Sequence, residues 1–417
     1  MRRLVLSSLL IVIMLILGCP KPPDPPTPPV IADCEAGYMP CEDDSTVCCE
    51  ITCPQGFELN AEGDSCEMAV TSNNFSWTSS RLVPTTPWAI YDLEMIDEND
   101  VWIVGHMSHP DSNRLDTMHI TPETPLELLY ANDGKFNAAH WDGQEWRLID
   151  IFTLDYQGRI NWQAIRAVSV ITHDDIRFFS ESGGISKWYG GNVIPGYFTT
   201  VWDAVSLNSD EIWFSGPGGL AGRWLGNEFE LFSEPGLSTN NFMYLTAPKG
   251  GSTLNTKVWM AGWKSSKSTI EDSNEFWHFD GNSWNIIWDK QTTLFEDTTV
   301  YGISTAWASD EEWIVTAVRG SIQPADDFLA IHKQDNFKDH QILTRYSNGR
   351  AITVIRGNGV NDFFIYGYDH PPRHWNGESL TTFSEVWSGD GLHSAMDFKG
   401  NHVFVADSRG YVYHGKR

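Results

Sequence analysis

A pattern of polar and apolar positions recurs seven times between residues 72 and 417. In each copy a polar turn precedes an apolar run, which often ends in glycine. The copies are NDVWIVG (Asn99–Gly105), DDIRFFS (Asp174–Ser180), DEIWFSG (Asp210–Gly216), TKVWMAG (Thr256–Gly262), EEWIVTA (Glu311–Ala317), NDFFIYG (Asn361–Gly367) and HVFVAD (His402–Asp407). Their equivalent slots are Trp102, Arg177, Trp213, Trp259, Trp313, Phe364 and Phe404. Short β-branched and aromatic runs bounded by turn residues predict strands.

A second motif follows each of these strands, with HWDGQEW at His140–Trp146 and HWNGESL at His374–Leu380 as the clearest copies. Asp-Gly and Asn-Gly between β-forming residues predict tight type I′ hairpins. A further apolar stretch precedes each copy, for example Ile90–Met95 and Ile165–Val170. Each repeat therefore predicts four strands, A to D. Most neighbouring repeats are spaced by about the length of one propeller blade.

The chain ends after the third strand of the seventh repeat. Asn74–Thr78 is an aromatic β segment that has no repeat of its own, and we expect it to supply the missing outer strand, because this closes the ring and removes a free sheet edge. The sequence thus predicts an all-β fold, a seven-bladed β-propeller over residues 72–417, preceded by a small disulfide-rich module.

The repeated HWDGxxW-type turns and the lead-in CPQGFELNAEGDSC resemble those of uncharacterised bacterial surface lipoproteins that carry a seven-bladed β-propeller. The resemblance covers most of the chain. It implies the fold and a surface location, but no activity. The repeats do not match the WD40, kelch or sialidase Asp-box patterns.

The N-terminus has the features of an export signal. Arg2 and Arg3 precede an apolar run, Leu4–Leu17, which is too short for a comfortable membrane span and has the length of a signal-peptide core. The ending Leu17-Gly18-Cys19 resembles a lipobox, which implies cleavage after residue 18 and lipidation of Cys19; the alternative is an ordinary secreted protein with a chance cysteine. Residues 19–31 form a proline-rich segment, which predicts a stiff tether about 30 Å long.

Six further cysteines lie within a short stretch, and none follows it: Cys34, Cys41, Cys48, Cys49, Cys53 and Cys66. An even cluster in an exported chain predicts disulfides, and a zinc site is disfavoured because Cys-x-x-Cys pairs are absent. We assign residues 32–70 to this module. The cysteine order resembles inhibitor cystine knots, which implies the pairs Cys34–Cys49, Cys41–Cys53 and Cys48–Cys66.

Charge and motif content narrow the range of functions. A formal net charge of −27 disfavours nucleic acid and anionic lipid headgroups as partners. No nucleotide, cofactor or catalytic motif is present, so we predict no cofactor. The segment HMSHPDSNRLDTMH holds several possible metal ligands, but their spacing fits no defined site, and we predict a polar loop and no metal. The recurring Trp and His positions are expected to pack between blades.

The candidate binding face is the one that carries the connections between strands B and C. The C–D turns on the other face are tight, whereas the B–C connections vary, with insertions at His106–Phe136, Trp263–Glu275, Arg319–Asp327 and Tyr368–Pro372. Variable loops on a rigid scaffold commonly carry binding function. The candidate residues are His106, His109, Asp111, Trp263, Asp369 and His370.

Together these features predict a membrane-anchored, extracytoplasmic lipoprotein in the cell envelope, at the outer membrane or cell surface, and a monomer. Its propeller is expected to act as an interaction module for a protein or a glycan. The alternative is a glycan-active or other hydrolytic enzyme on a propeller scaffold, because the fold does not decide function. Carboxylates with perturbed pKa values in the axial channel would favour the enzyme.

Overall fold

The computed structural model describes residues 38–40, 48–53, 55–82, 89–108, 135–154, 160–161, 163–188, 200–226, 228–232, 240–247, 257–264, 274–288, 300–309, 312–320, 326–334, 336–347, 352–367, 370–386 and 395–417. These residues form β-strands, turns and two short 3-10 helices, Pro217–Gly219 and Ser384–Val386. Within these ranges no helix has both the length and the apolar character to cross a membrane.

Four short strands precede the propeller: β1 (Tyr38–Pro40), β2 (Cys48–Glu50), β3 (Phe57–Leu59) and β4 (Cys66–Met68). β1 pairs with β2, and β3 forms a second sheet with β4. The turn between β3 and β4 is closed by the Asn60 side chain, which accepts the N–H groups of Asp64 and Ser65 at 3.0 and 3.3 Å.

The disulfide in this region corrects the pairing implied by the cystine knot. Cys53 is bonded to Cys66, with their Cα atoms 5.6 Å apart, which excludes both Cys41–Cys53 and Cys48–Cys66. The β3–β4 turn explains the pairing, because it returns the chain to the residues just before β3. Cys48 and Cys49 are also disulfide-bonded. Cys34 and Cys41 lie outside the described residues.

Seven antiparallel sheets follow, and they confirm the predicted number of blades. After β5 (Ser76–Arg81), blade one contains β6 (Ala89–Asp97), β7 (Asp100–Ser108), β8 (Lys135–Trp141) and β9 (Trp146–Ile149). A small hairpin, β10 (Thr153–Leu154) and β11 (Ile160–Asn161), precedes the described strands of blade two, β12 (Ile165–Thr172), β13 (Asp175–Ser180) and β14 (Ile185–Lys187). Blade three contains β15 (Asp203–Asn208), β16 (Glu211–Ser215), β17 (Ala221–Leu225) and β18 (Phe229–Leu231).

The remaining blades follow in chain order. Blade four contains β19 (Asn240–Thr246), β20 (Val258–Lys264), β21 (Asn274–Phe279) and β22 (Trp284–Trp288). Blade five contains β23 (Val300–Ala308), β24 (Trp313–Gly320), β25 (Asp326–Lys333) and β26 (His340–Ser347). Blade six contains β27 (Ile352–Gly359), β28 (Asp362–Gly367), β29 (His370–Trp375) and β30 (Leu380–Thr382). Blade seven contains β31 (Ala395–Lys399), β32 (His402–Ala406) and β33 (Tyr411–Lys416).

The ring closes as the sequence predicts. β5 is the outer strand of blade seven and pairs with β33, with Trp77 opposite Gly415; the strand extends a few residues beyond the predicted Asn74–Thr78. The first strands of consecutive blades contact one another around the ring, and those of blades seven and one also do so. Apolar side chains of adjacent blades pack between the sheets, as between blades one and two.

A short strap, Ala69–Phe75, leads into β5 and is held against blade six. The Thr71 N–H donates to the Asn376 carbonyl at 2.8 Å, and the Asn361 side chain donates to the Ala69 carbonyl at 2.9 Å. The Phe75 ring lies 5.1 Å from that of Phe364 and 5.8 Å from that of Phe383. The strap therefore ties the closing strand to the neighbouring blade.

The strand register confirms that the recurring histidines are packing residues. In four blades a strand C histidine lies opposite the strand B aromatic residue and close to its ring: His140 with Trp102, His278 with Trp259, His374 with Phe364 and His414 with Phe404. In blade five the strand B position opposite the histidine lies one residue later than predicted. There His332 lies opposite Ile314, which is fully buried, rather than opposite Trp313.

The C–D turns differ from the predicted two-residue type I′ turns. In blade one, Trp141 pairs with Trp146, so the connection has four residues, and the Asp142 carboxylate accepts the N–H groups of Gln144 and Glu145, both at 3.0 Å. Asp280 and Asn376 close their turns in the same way. The capping side chain satisfies two backbone donors, which a two-residue turn does not offer.

The predicted insertion in blade six is shorter than the sequence suggested. Residues 370–372 belong to β29 and not to a loop. Pro372 accepts a hydrogen bond from the Phe383 N–H at 3.0 Å through its carbonyl. The ladder shifts register beside these residues, between Ile365 and Gly367. A proline lacks the N–H that a regular ladder needs but is tolerated at such an irregularity.

Candidate functional site

Three of the candidate face residues lie in described strands, each at a B–C end. His106 lies near the end of β7, Trp263 near the end of β20, and His370 begins β29. They belong to three different blades, and the structure does not bring them together. His109, Asp111 and Asp369 lie outside the described residues, as does Cys19. A site that described side chains build together lies on the same face.

Such a site exists where the first strands of the blades surround the propeller axis. A cavity that opens to solvent, with about 410 Å³ of space when its mouth is included, is lined by residues from blades one to six. These residues are Tyr91, Asp92, Arg166, Trp202, Asp203, Tyr244, Leu245, Thr305, Ala306, Thr353, Val354 and Arg356. Asp92 and Asp203 lie in the first halves of their strands, so the cavity is near the face that carries the B–C and D–A connections. We call it the axial channel.

Three aspartates of the first strands join one blade to the next. Each accepts the N–H of the following residue with one carboxylate oxygen and an N–H of the next blade with the other. Asp92 accepts Leu93 at 2.8 Å and Val168 at 3.0 Å. Asp203 accepts Ala204 at 2.9 Å and Leu245 at 2.7 Å. Asp397 accepts Phe398 and Met95, both at 2.9 Å.

These interblade bonds explain why the fold keeps charged groups at its centre. A backbone donor left without an acceptor in this position would lose roughly 1–3 kcal/mol. The carboxylates remove that penalty where the first strands are too far apart to pair directly. Each carboxylate oxygen has a second lone pair, so this role leaves capacity to accept further hydrogen bonds from the channel.

The channel carboxyls have strongly perturbed pKa values. Burial, with the nearby charges of Asp203 and Glu94, raises the pKa of Asp92 to about 8. Burial also raises the pKa of Asp203 to about 6, against the opposing effect of Arg356. For Arg356, burial lowers the pKa, but the surrounding acids Asp92, Asp397, Asp203 and Glu94 more than compensate, and its pKa is raised.

Arg356 is the counterion of this acidic group without being bound to any member of it. Its Nη1 donates to the Ile355 carbonyl at 2.9 Å, and within the described part of the chain no carboxylate lies within ion-pair distance of its guanidinium. Arg166, in contrast, is paired with Glu181 and lies over the Tyr91 ring at 3.9 Å. The charge of Arg166 is therefore balanced, whereas the acids around Arg356 outnumber it.

Two threonines complete the lining. Thr305 is 1% exposed and Thr353 8% exposed, and both line the channel. Neither side chain has a hydrogen-bond partner among the residues that the structure describes. Neither hydroxyl oxygen is among the fully buried side-chain atoms without a partner, so both oxygens are open to the channel and are candidates for contact with a ligand.

The face with the D–A connections also carries a hairpin that the sequence did not predict. β10 and β11 lie in the connection from blade one to blade two. Buried Asn137 holds the base of this hairpin: its side chain donates to the carbonyls of Ile151 and Gln163, both at 2.8 Å, and accepts the Ile151 N–H at 2.7 Å.

The sequence carries a signal for this site in the charged residues of its first strands. Asp92, Asp203, Arg356 and Asp397 are charged residues inside apolar first strands, where a buried strand is expected to be apolar. Their position in the innermost strand of a propeller predicts that they meet at the axis. Residues on different blades, however, show no common spacing in the sequence, so their grouping follows only from the closed ring.

A metal site is not formed by the described residues: no three His, Cys, Asp or Glu side chains among them converge closely enough to hold an ion. The channel carboxyls are therefore considered as hydrogen-bond acceptors and as charges.

No protein-family model and no curated protein matches the chain. Solved structures do resemble it. YCF48 bound to D1 peptide aligns with a TM-score of 0.54 at 12% identity, over 84% of this chain and 98% of that one. YCF48 from Cyanidioschyzon merolae gives 0.51 at 13%, over 81% and 98%. The Cps50 (Swd1) propeller domain from Myceliophteria thermophila gives 0.50 at 9%, over 81% and 99%. At these identities the likeness shows that the chain is similar to these propellers in fold alone.

Proposed function

We propose that the protein is a lipid-anchored, extracytoplasmic interaction module that binds a segment of a partner protein over the opening of its axial channel. The observation that carries the proposal is the channel itself: a polar cavity, with hydroxyls and carboxylates open to a ligand, on the face with the variable connections. Ligand sites of this kind are typically concave, with a few placed polar groups.

The alternative of a glycan-active or other hydrolytic enzyme rests on a specific observation, the raised pKa values of Asp92 and Asp203. A carboxyl with a raised pKa can serve as a general acid. Both oxygens of Asp92 and of Asp203, however, accept backbone N–H groups that hold the blades together. We therefore favour binding, since these interblade hydrogen bonds give both carboxyls a structural role that a catalytic acid does not need.

A propeller of similar fold, YCF48, has been solved with a bound peptide, and a peptide is the class of ligand proposed here. The lipid anchor is supported by the sequence alone, through the apolar run Leu4–Leu17 and the ending Leu17-Gly18-Cys19. A lipid at Cys19 would hold the propeller close to a membrane surface, and the proline-rich segment would separate the two.

Selection of peptides tests the binding function. The full chain, purified in detergent, is panned against a library of random 12-residue peptides. We expect enriched peptides to bind the wild type and to lose at least about tenfold in affinity against Tyr244→Ala. The matched control is Asn282→Ala, in a C–D turn on the other face, which should bind normally. Enriched peptides that depend on Asn282 and not on Tyr244 would place the site on the wrong face.

A glycan array run with the same three proteins tests the ligand class. Binding of a glycan that Tyr244→Ala abolishes would replace the peptide with a sugar. Release of a chromophore from aryl glycosides or esters, lost in Asp92→Asn, would favour the hydrolytic enzyme instead.

The anchor is tested separately by metabolic labelling with palmitate in a bacterial host. The wild-type chain should be labelled and should sediment with membranes, and Cys19→Ala should be unlabelled. Labelling of the Cys19→Ala variant would show that the lipid is attached elsewhere.

A further inference from the structure

We propose that the axial channel binds one basic side chain of the partner segment, a lysine or arginine, which enters between Asp92 and Asp203. This inference rests on the proposed function and specifies which chemistry the channel recognises. It predicts that the basic side chain is the anchor residue of any peptide that binds to this face.

The hydrogen-bonding capacity of the lining is the first argument. Asp92 and Asp203 are acceptors, and each retains unused lone pairs after binding the backbone. The hydroxyls of Thr305 and Thr353 have no partner in the described part of the chain, and both can accept. A lining rich in acceptors fits a ligand that only donates. Lysine and arginine are the charged side chains that carry several N–H donors and no acceptor.

The charge of the channel is the second argument. Four acids, Asp92, Glu94, Asp203 and Asp397, act on the single cation Arg356, and Arg166 is already neutralised by Glu181. The acids outnumber this cation, so the channel becomes more negative as Asp92 ionises, and the net charge of the whole chain is also negative, −27. A cation is attracted by both, whereas a carboxylate or phosphate would be repelled by both.

The aromatic walls are the third argument. Tyr91, Trp202 and Tyr244 line the same cavity, and aromatic faces attract ammonium and guanidinium groups. The structure already contains one example of such a contact, because the Arg166 guanidinium lies over the Tyr91 ring at 3.9 Å. The walls also cover the apolar stem of a long basic side chain, which would enter the channel before its charged end.

Binding of a cation is linked to protons in the channel. The charged groups that act on Asp92 are Asp203, Glu94 and Arg356, and Arg166 lines the same cavity. With its pKa near 8, Asp92 is mostly protonated at pH 7. A cation favours the ionised form, so its binding should release a proton. The affinity for a basic peptide should therefore rise between pH 6 and pH 9.

Short peptides test the proposal directly. The probes are acetylated pentapeptide amides with glycine at every position except the centre, which is arginine, lysine, citrulline or glutamate. Binding to the full chain in detergent is followed by calorimetry. We expect the arginine or the lysine peptide to bind at least about tenfold more tightly than the citrulline peptide, which has nearly the same shape but no charge. The glutamate peptide should not bind.

Two variants locate the effect. Thr305→Val keeps the shape of the side chain and removes a hydroxyl that no described residue binds, so folding should be unchanged while the affinity for the basic peptide falls about three- to tenfold. Asp203→Asn should reduce the affinity by more than tenfold. Because Asp203 also joins two blades, its melting temperature is measured in parallel, and Thr305→Val remains the decisive variant if Asp203→Asn unfolds.

The outcomes separate this inference from the proposed function. Equal binding of the arginine, lysine and citrulline peptides, or binding unaffected by Thr305→Val, overturns the basic anchor. Library peptides that depend on Tyr244 but lack basic residues would overturn the anchor and leave the binding face intact. Preferred binding of the glutamate peptide would assign Arg356, and not the aspartates, as the recognition group.

Discussion

Two groups of buried polar and charged residues lie at opposite ends of the blades, and they differ in how completely their charges are paired. The strap cluster lies where blade six turns from strand A to strand B and consists of Asp362, His374, Arg417, Asn358 and Thr71. The channel cluster consists of Asp92, Glu94, Asp203, Arg356 and Asp397. The strap cluster contains one aspartate and the channel cluster three, and each contains one arginine. Only the strap cluster, however, joins its arginine to an aspartate directly.

In the strap cluster the central carboxylate is fully engaged. Asp362 accepts Nη1 of Arg417 at 2.6 Å, Nε2 of His374 at 2.8 Å and the Asn358 amide at 2.7 Å. Burial alone would raise its pKa, but these hydrogen bonds lower it to about 2. In the channel cluster burial prevails, and the pKa of Asp92 rises to about 8. Buried charges that are fully paired hold structure, and buried charges that are only partly paired mark candidate sites.

The largest effect is expected from breaking the strap cluster. Asp362→Ala removes the acceptor of Arg417 and His374 and leaves buried donors unpaired, so we expect the free energy of unfolding to fall by about 3–5 kcal/mol. Urea denaturation followed by tryptophan fluorescence measures this change. The control is Asp210→Ala, an exposed aspartate in an A–B turn, for which we expect a change within about 0.5 kcal/mol. Equal stability of the two variants would contradict the structural role of the cluster.

The contributions of the two clusters to stability are expected to change in opposite directions with pH. The pKa of Asp362 is lowered, so its stabilising contribution is present above about pH 4 and is lost as the pH falls towards 2. The pKa of Asp92 is raised, so its contribution is present below about pH 4 and is lost as the pH rises towards 8. Each ionising group can change the free energy of unfolding by at most about 1.4 kcal/mol per pH unit.

Asp92→Asn tests the channel half of this comparison. We expect the free energy of unfolding of the wild type to fall between pH 4 and pH 8. In the variant it should fall by less, because the amide does not ionise. The measured quantity is the slope of the unfolding midpoint against pH. Loss of one interblade hydrogen bond lowers the midpoint by a similar amount at every pH, so it does not change this slope. Parallel slopes for the variant and the wild type would show that Asp92 does not titrate in this range.

The sequence predicts the repeats and the closing strand better than it predicts the axial channel. The repeat, the seven blades and the closing strand follow from local patterns, because turn residues and apolar runs are read within one repeat. The sequence predicts the outer strand at Asn74–Thr78, and the structure has it at Ser76–Arg81. The difference arises because Asn73 and Phe75 belong to the strap, where Asn73 Oδ1 lies 2.6 Å from Nδ1 of His374.

The misses have a common physical cause, which is interaction between parts of the chain that share no spacing. Cys53 pairs with Cys66 because of a turn closed by Asn60, and cysteine order alone does not encode that turn. The sequence pattern predicts Trp313 opposite the strand C histidine. Ile314 fills this position instead, and Trp313 packs on Phe57, with ring centroids 5.7 Å apart. The channel, likewise, is assembled from one to three residues of each of six blades.

The smallest expected effects on the free energy of unfolding come from two buried threonines of blade five, Thr316 and Thr305. Thr316 is fully buried, and its hydroxyl lies 2.9 Å from Nε2 of His332, whereas Thr305 is equally buried but has no partner in the described part of the chain. We expect Thr316→Val to lower the free energy of unfolding by about 1–3 kcal/mol, because it removes the hydrogen bond between a buried hydroxyl and Nε2 of His332. Thr305→Val should change it by less than about 0.5 kcal/mol, because it removes a hydroxyl that contributes nothing to folding. Thermal melts of the two variants at pH 7, where His332 is neutral because burial lowers its pKa to about 3, give the comparison under one set of conditions. If Thr305→Val proves as destabilising as Thr316→Val, the Thr305 hydroxyl is bound within the protein, and the argument that it is held ready for a ligand fails with it.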